Sequence, residues 1–288
     1  MANDVAEVRP LTHAEFQQIR VLAHEVFCLD LREGKEQLVS ARLGKLVRKL
    51  GCLKFSDYCN HVRADTTGVA LAELIDALTT NFTSFLREPA HFDFLTNTIL
   101  PEFDGRRIDI WSAACSTGEE PYSIAIYALE CLGEKAREQV RILATDISTR
   151  ALEGGKQGVY QSERLAGLPA PLLRKYFLKG EQRWKGWFRA SPHLRSMVEF
   201  RRMNLMESFP SLPSFAAIFC RNVMIYFDQP TQHTLVSKLA RCLAPGGYLL
   251  TGHSESLLRG HEALEYVRPA VYRKPAGGGR SPAGTRSR

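Results

Sequence analysis

The chain is 288 residues long, 44% hydrophobic and 24% charged, with a formal net charge of +7, the make-up of a globular protein with a sizeable core in one large or two smaller domains. No run of about 18 apolar residues marks a membrane-spanning helix, and the first twenty residues carry Asp4, Glu7, Arg9 and Glu15 where a secretory signal would be apolar. The seven cysteines show no knuckle or redox spacing and the eight histidines are scattered, so reduced thiols in a cytoplasmic protein with no metal site are expected.

Residues 1–10 are expected to be flexible, and 11–88 to form a helical domain and its linker. Thr12 to Glu15 has the pattern of a capping box, with Leu11 and Phe16 placed as a hydrophobic staple. Val39, Leu43, Leu46, Val47 and Leu50 fall on one face of a helix. Arg42, Lys45, Arg48 and Lys49 fall roughly opposite, with Leu38 among them. Phe55 to His61 and Leu71 to Leu78 supply further apolar helical faces, and a connecting helix follows through Phe92, Phe94 and Leu95.

From residue 106 the texture changes. Arg107 to Trp111 reads as a strand, Pro121 to Leu132 as a helix and Val140 to Thr145 as a second strand ending at Asp146. A helix from Thr149 continues the alternation. Phe215 to Cys220, Thr231 to Leu243 and Tyr248 to Thr251 repeat the strand–helix–strand order, which predicts an α/β domain with a parallel sheet. Val267 to Arg273 is expected to close it as an antiparallel pair. The aromatic, turn-punctuated stretch from Tyr176 to Phe200 predicts a small antiparallel β insertion. Residues 275–288, with Arg280, Arg286 and Arg288 among Gly, Ser and Pro, read as a disordered tail.

Two features of the sheet domain carry chemistry. The segment Ala113-Ala114-Cys115-Ser116-Thr117-Gly118-Glu119-Glu120 joins a strand to a helix through small residues, which lets backbone amides approach a ligand. A tight turn without a ligand is the structural alternative. Asp146 ends the second strand, where a carboxylate can accept both hydroxyl protons of a ribose, or simply cap the next helix. Together they favour a nucleotide-type cofactor and leave its identity open.

Further segments narrow the choice: Asn81-Phe82-Thr83-Ser84-Phe85-Leu86-Arg87-Glu88, Cys220-Arg221-Asn222-Val223-Met224-Ile225-Tyr226-Phe227, Pro245-Gly246-Gly247 and Gly252-His253-Ser254-Glu255. In order and spacing these resemble the chemotaxis receptor (protein-glutamate) O-methyltransferases of bacteria, from the first helices to about Lys274. The resemblance implies an all-helical N-terminal domain, then an S-adenosylmethionine-dependent methyltransferase domain at 89–274 with a seven-stranded sheet and the β insertion at about 176–200. It implies cofactor contacts from Asn81, Thr83, Arg87, Ala114, Glu119 or Glu120, Asp146, Asn204, Leu205, Asn222 and Val223, with Glu120 favoured of the pair. Arg87 and Tyr226 stand as the candidates for positioning the reaction.

The implied reaction transfers a methyl group to receptor glutamates, giving methyl esters and S-adenosylhomocysteine. The implied partner is a receptor's glutamate-rich helical region, which the basic face of Arg42, Lys45, Arg48 and Lys49 suits. A receptor C-terminal peptide at the β insertion is a further possibility. Two rivals are a silent cofactor-binding sensor and a nucleic-acid methyltransferase, the latter raised by the basic charge. The reading adopted has neither a nucleic-acid partner nor membrane insertion.

Overall fold

The computed structural model describes residues 8–79, 83–255 and 261–276. Residues 1–7, Asn81 and the tail with Arg280, Arg286 and Arg288 lie outside the described residues. Four helices build the first domain: α1 (His13–Phe27), α2 (Glu36–Lys49), α3 (Phe55–Ala64) and α4 (Val69–Leu78). The capping box forms: the Thr12 hydroxyl accepts from Glu15 N, and Glu15 accepts from Thr12 N at 3.0 Å. Leu11 and Phe16 share the domain's apolar core with Ile19, Leu43, Tyr58 and Leu74. On α2, Val39, Leu43 and Val47 are buried, whereas Leu38 and Leu50 are exposed.

The basic face of α2 is less uniform than its spacing suggests. Arg42 donates to Leu78 O at the end of α4, and Lys49 pairs with Glu73 Oε1 at 2.6 Å. Two of the four cations are therefore tied into their own domain, and Lys45 and Arg48 stand exposed.

The second domain has strands β1 (Ile108–Ala113), β2 (Val140–Asp146), β3 (Val159–Gln161), β4 (Phe177–Lys179), β5 (Trp187–Ala190), β6 (Val198–Arg202), β7 (Phe215–Cys220), β8 (Leu243–Thr251), β9 (Glu265–Arg268) and β10 (Val271–Arg273). The main sheet has seven strands in the order β6-β2-β1-β7-β8-β10-β9. It is parallel from β6 to β8, and β10 runs antiparallel to both its neighbours. Helices cover both faces, so its central strands are buried on both sides. Side chains alternate between two cores: Ile108 and Ile110 enter one, Trp111 and Ala113 the other. Trp111 Nε1 satisfies its polar edge on Thr145 Oγ1 at 2.8 Å.

The chain runs outward from β1 to β2 and β6, then returns to place β7 on the other side of β1. The order reverses at β1/β7, so a crevice opens beyond the carboxyl ends of these strands. The small antiparallel sheet has the order β3-β5-β4. It thus starts earlier than the aromatic stretch at 176–200 suggests, and Val198–Arg202 leaves it. That segment pairs in parallel with β2, from Ile142↔Val198 to Asp146↔Arg202. An exposed edge strand and an antiparallel hairpin share the same two-residue alternation, and only the partner tells them apart.

Candidate active site

The loop after β1 departs from ordinary backbone conformation. Ala114 has φ 69°, Ser116 φ 49° and Gly118 φ 95°. Gly118 opens the helix Glu119–Leu132. A Cβ there would lie 3.0 Å from both Gly155 Cα and Tyr160 Oη, so only glycine lets the helix start so close to its neighbours. Asp146 Oδ2 accepts from Ser116 N at 2.8 Å, and its Oδ1 accepts from Ser148 N at 2.9 Å. The carboxylate therefore fixes the β1 loop and the turn after β2 together. Burial raises the Asp146 pKa, backbone N–H groups of Ser148 and Ser116 oppose the rise, and the Asp76 carboxylate adds to it.

The loop after β7 is held by a residue to which the sequence reading gave no role. Glu255 Oε2 accepts from Asn222 N at 2.7 Å and Gly252 N at 2.6 Å. Its Oε1 accepts from Met224 N at 2.7 Å and Ile225 N at 3.3 Å. One carboxylate thus clamps the loop on which Asn222, at φ 59°, and Val223 stand. Gly252 is fitted to this clamp, since a Cβ on it would come within 2.5 Å of Asn222 Nδ2.

Arg221 lines the cleft with its side chain only 2% exposed. It donates to Glu120 Oε2 at 2.9 Å, to Glu88 Oε2 at 3.0 Å and to the Arg87 carbonyl. Burial works to raise the Glu88 pKa, but the Arg221 charge and hydrogen bonds outweigh it and the group is held low. Burial raises Glu120, against the pull of Arg221 and of the Ser112 hydroxyl, which donates at 2.7 Å. Cys115 and Cys220 are buried and pushed well above the thiol range by burial first and nearby carboxylates second. Both are small core residues rather than nucleophiles.

These loops face a cleft of about 1040 Å³, its open mouth included. It lies where the two domains meet, with Phe27, Leu29 and Thr79 of the helical domain on its other wall. Asp30 N donates to Tyr226 O at 2.8 Å and Asn204 Nδ2 to Val26 O at 3.3 Å across that junction. Of the residues singled out in the sequence, Thr83, Arg87, Ala114, Glu120, Asp146, Asn204, Leu205, Asn222, Val223 and Tyr226 line the cleft. Glu119 does not. Its side chain is fully buried on another side of the helix, where Arg164 Nε donates to it at 3.0 Å and Thr117 Oγ1 at 2.7 Å. Arg221, Glu88 and Glu255 are the residues the sequence reading missed. A lone arginine directly after the apolar strand FAAIFC was the available signal for the first.

A loop of small residues in left-handed conformations, a buried carboxylate on the cleft wall and a crevice at the strand reversal fit a nucleoside cofactor. Comparison with known proteins agrees. Residues 14–79 match the family described as CheR methyltransferase, all-alpha domain, and residues 81–272 match CheR methyltransferase, SAM binding domain. The chain is 41% identical over 273 residues to a chemotaxis protein methyltransferase of Borreliella burgdorferi, covering 92% of this chain and 95% of that one. It is 42% identical over 263 residues to chemotaxis protein methyltransferase 2 of Pseudomonas aeruginosa, covering 91% and 93%. With the corresponding protein of Escherichia coli it shares 38% over 247 residues, covering 85% of each. The two matched domains together span both halves of the fold, and the chain belongs to the CheR methyltransferase family, with S-adenosylmethionine as its cofactor.

Proposed function

We propose that this protein methylates glutamate side chains of a chemotaxis receptor in the cytoplasm, forming methyl esters and S-adenosylhomocysteine. The observation that carries the reading is the placement of Asp146, buried at the end of β2 with its carboxylate fixed by backbone N–H groups on the wall of the cleft. The carboxylate accepts the two ribose hydroxyls. Ala114 and Glu120 flank the β1 loop, Asn204 and Leu205 take the adenine side, and Asn222 and Val223 close the site beyond β7. Thr83 completes it at the domain junction, and Asn81 is the further contact that the family motif implies.

The cofactor supplies a methyl group made electrophilic by its sulfonium. A glutamate carboxylate with an ordinary pKa of about 4.3 is already ionised at neutral pH. The protein therefore needs no general base, and its task is alignment in a partly dry cleft. Arg87 offers a planar fork suited to a carboxylate, either that of the acceptor or that of the cofactor's methionine end. Tyr226, held through its carbonyl by Asp30 N, limits the approach from the helical domain.

The receptor's acidic helical region docks on the helical domain, a reading supported by exposed Lys45 and Arg48 on α2. A receptor C-terminal peptide adds to an edge of the small sheet, whose outer strands are β3 and β4 and where Leu178 is exposed. Incubation with methyl-labelled S-adenosylmethionine and receptor-containing membranes tests the whole. Label should appear on the receptor band and be released as methanol by mild base. Base-stable label, or label on nucleic acid in place of receptor, would overturn it.

A further inference from the structure

Outside the cofactor contacts, the structure joins two segments that are far apart in the chain. Glu88 and His91 stand where the domain junction enters the sheet domain, and His253 follows β8. Ligand atoms of all three lie within 4.8 Å of one another. We propose that Glu88, His91 and His253 form a binding site for one divalent cation of the zinc class.

The first ground is His91 itself. The ring is 1% exposed, yet neither ring nitrogen has a hydrogen-bond partner among the described residues. An imidazole that leaves water without a hydrogen bond forfeits both polar atoms, and such a group calls for an occupant. His91 Nδ1 lies 3.4 Å from Glu88 Oε2, and the His253 ring meets His91 edge-on with centroids 5.1 Å apart.

Two imidazoles and a carboxylate are a donor set for zinc, and a three-ligand site keeps a fourth position for water. Exposed His253 gives entry from solvent. Glu88 has capacity to spare. Its Oε2 accepts from Arg221 and its Oε1 accepts from His253 N at 3.3 Å, whereas an ionised carboxylate offers about four lone-pair sites. The guanidinium would become an outer partner that orients a metal-bound carboxylate. That guanidinium is itself paired with Glu120 as well as Glu88.

The full-length protein should be stripped with a chelator and titrated with Co²⁺, whose visible d–d bands report nitrogen and oxygen ligands. Thiolates give a separate charge-transfer band, which keeps the seven cysteines distinguishable. One equivalent of Co²⁺ should bind without the thiolate band and be displaced by Zn²⁺. His253→Ala should weaken binding by at least the roughly 10- to 100-fold that losing an outer-shell partner costs. S-adenosylhomocysteine binding in the same preparation verifies that the variant is folded. Absence of the bands in wild type, a thiolate signature, or equal Co²⁺ affinity in His253→Ala would each overturn the site and leave His91 with an ordered water.

Discussion

Arg221 Nη1 donates to Glu120 Oε2 at 2.9 Å from a side chain only 2% exposed, so a buried cation binds the helix that follows β1 to the loop after β7. Through Glu88 and the Arg87 carbonyl the same guanidinium reaches the junction between the domains. Removing it strands two shielded carboxylates. Arg221→Leu should destabilise the protein by about 3–5 kcal/mol, the usual cost of leaving a buried charge unpaired. Arg221→Lys should recover part of this, because an ammonium keeps the charge but lacks the spread planar fork that reaches Glu120, Glu88 and the Arg87 carbonyl from separate nitrogens. Urea titration checks both, and a leucine variant as stable as wild type would show that the network contributes nothing.

The Glu119–Glu120 pair should separate cleanly. Glu119→Gln weakens a buried ion pair with Arg164 away from the cleft, so stability should fall by about 1–3 kcal/mol while S-adenosylhomocysteine affinity holds. Glu120→Gln should act mainly on affinity. Thermal melts paired with calorimetry decide it, and the reverse pattern would move the cofactor contact to Glu119.

Glu255 touches backbone rather than the cleft. Glu255→Gln converts two of its four accepted N–H contacts into repulsions between donors. The Asn222 loop should loosen, raising KM for the cofactor more than it lowers kcat at saturation. A pure kcat loss with unchanged KM would argue for a direct part in the reaction.

With Asp146 as the proposed ribose contact, cofactor binding should be sensitive to acid. Its folded-state pKa is raised above 3.8, first by burial. The empty protein therefore takes up this proton more readily folded than unfolded. The group's contribution to stability grows as pH falls through the folded pKa, and it is unfavourable at neutral pH. Binding moves the other way, since a protonated carboxyl accepts less well from the ribose. S-adenosylhomocysteine affinity should decline at higher pH than it would for an exposed aspartate. Asp146→Asn should bind more weakly at pH 7, by about 1–3 kcal/mol, and lose that acid limb. An unchanged pH profile in the asparagine variant would remove Asp146 from the site.

On α2, Lys45 and Arg48 are the charges free of the two ties seen for Arg42 and Lys49. Changing both to Glu should slow receptor methylation at low salt and leave cofactor affinity intact. The difference should shrink as the Debye length falls from about 10 Å at 0.1 M to about 3 Å at 1 M salt. Wild-type rates at low salt would move the docking face elsewhere.

Much of this was legible in the sequence because it sits in continuous stretches. The β1 loop, Asp146 and the segment from Asn222 to Tyr226 each follow a strand that its own composition announces. Thr12 and Glu15 are likewise a local device, and they form as spaced. What escaped depends on encounters between distant segments. Glu88 and Arg221 come from distant places and acquire meaning only where they meet each other and Glu120. Glu119 and Glu120 are neighbours in sequence, yet adjacent helix positions diverge by about 100°, which sends one to Arg164 and the other to the cleft. Val198 to Arg202 alternates like a hairpin, and its parallel pairing with β2 has no local signature.

The small sheet has a second relation to the cleft, through Phe85. That ring meets Tyr160 edge-on at 5.0 Å and Phe177 at 5.4 Å, one from β3 and one from β4. Phe85 lies between Thr83 and Arg87, so the wall of the cleft is rooted in the insertion. Peripheral hairpins are usually the parts of a domain that can be shortened or lost without harm. This one is a foundation, and trimming it would leave Phe85 over a hole and Arg87 without its footing.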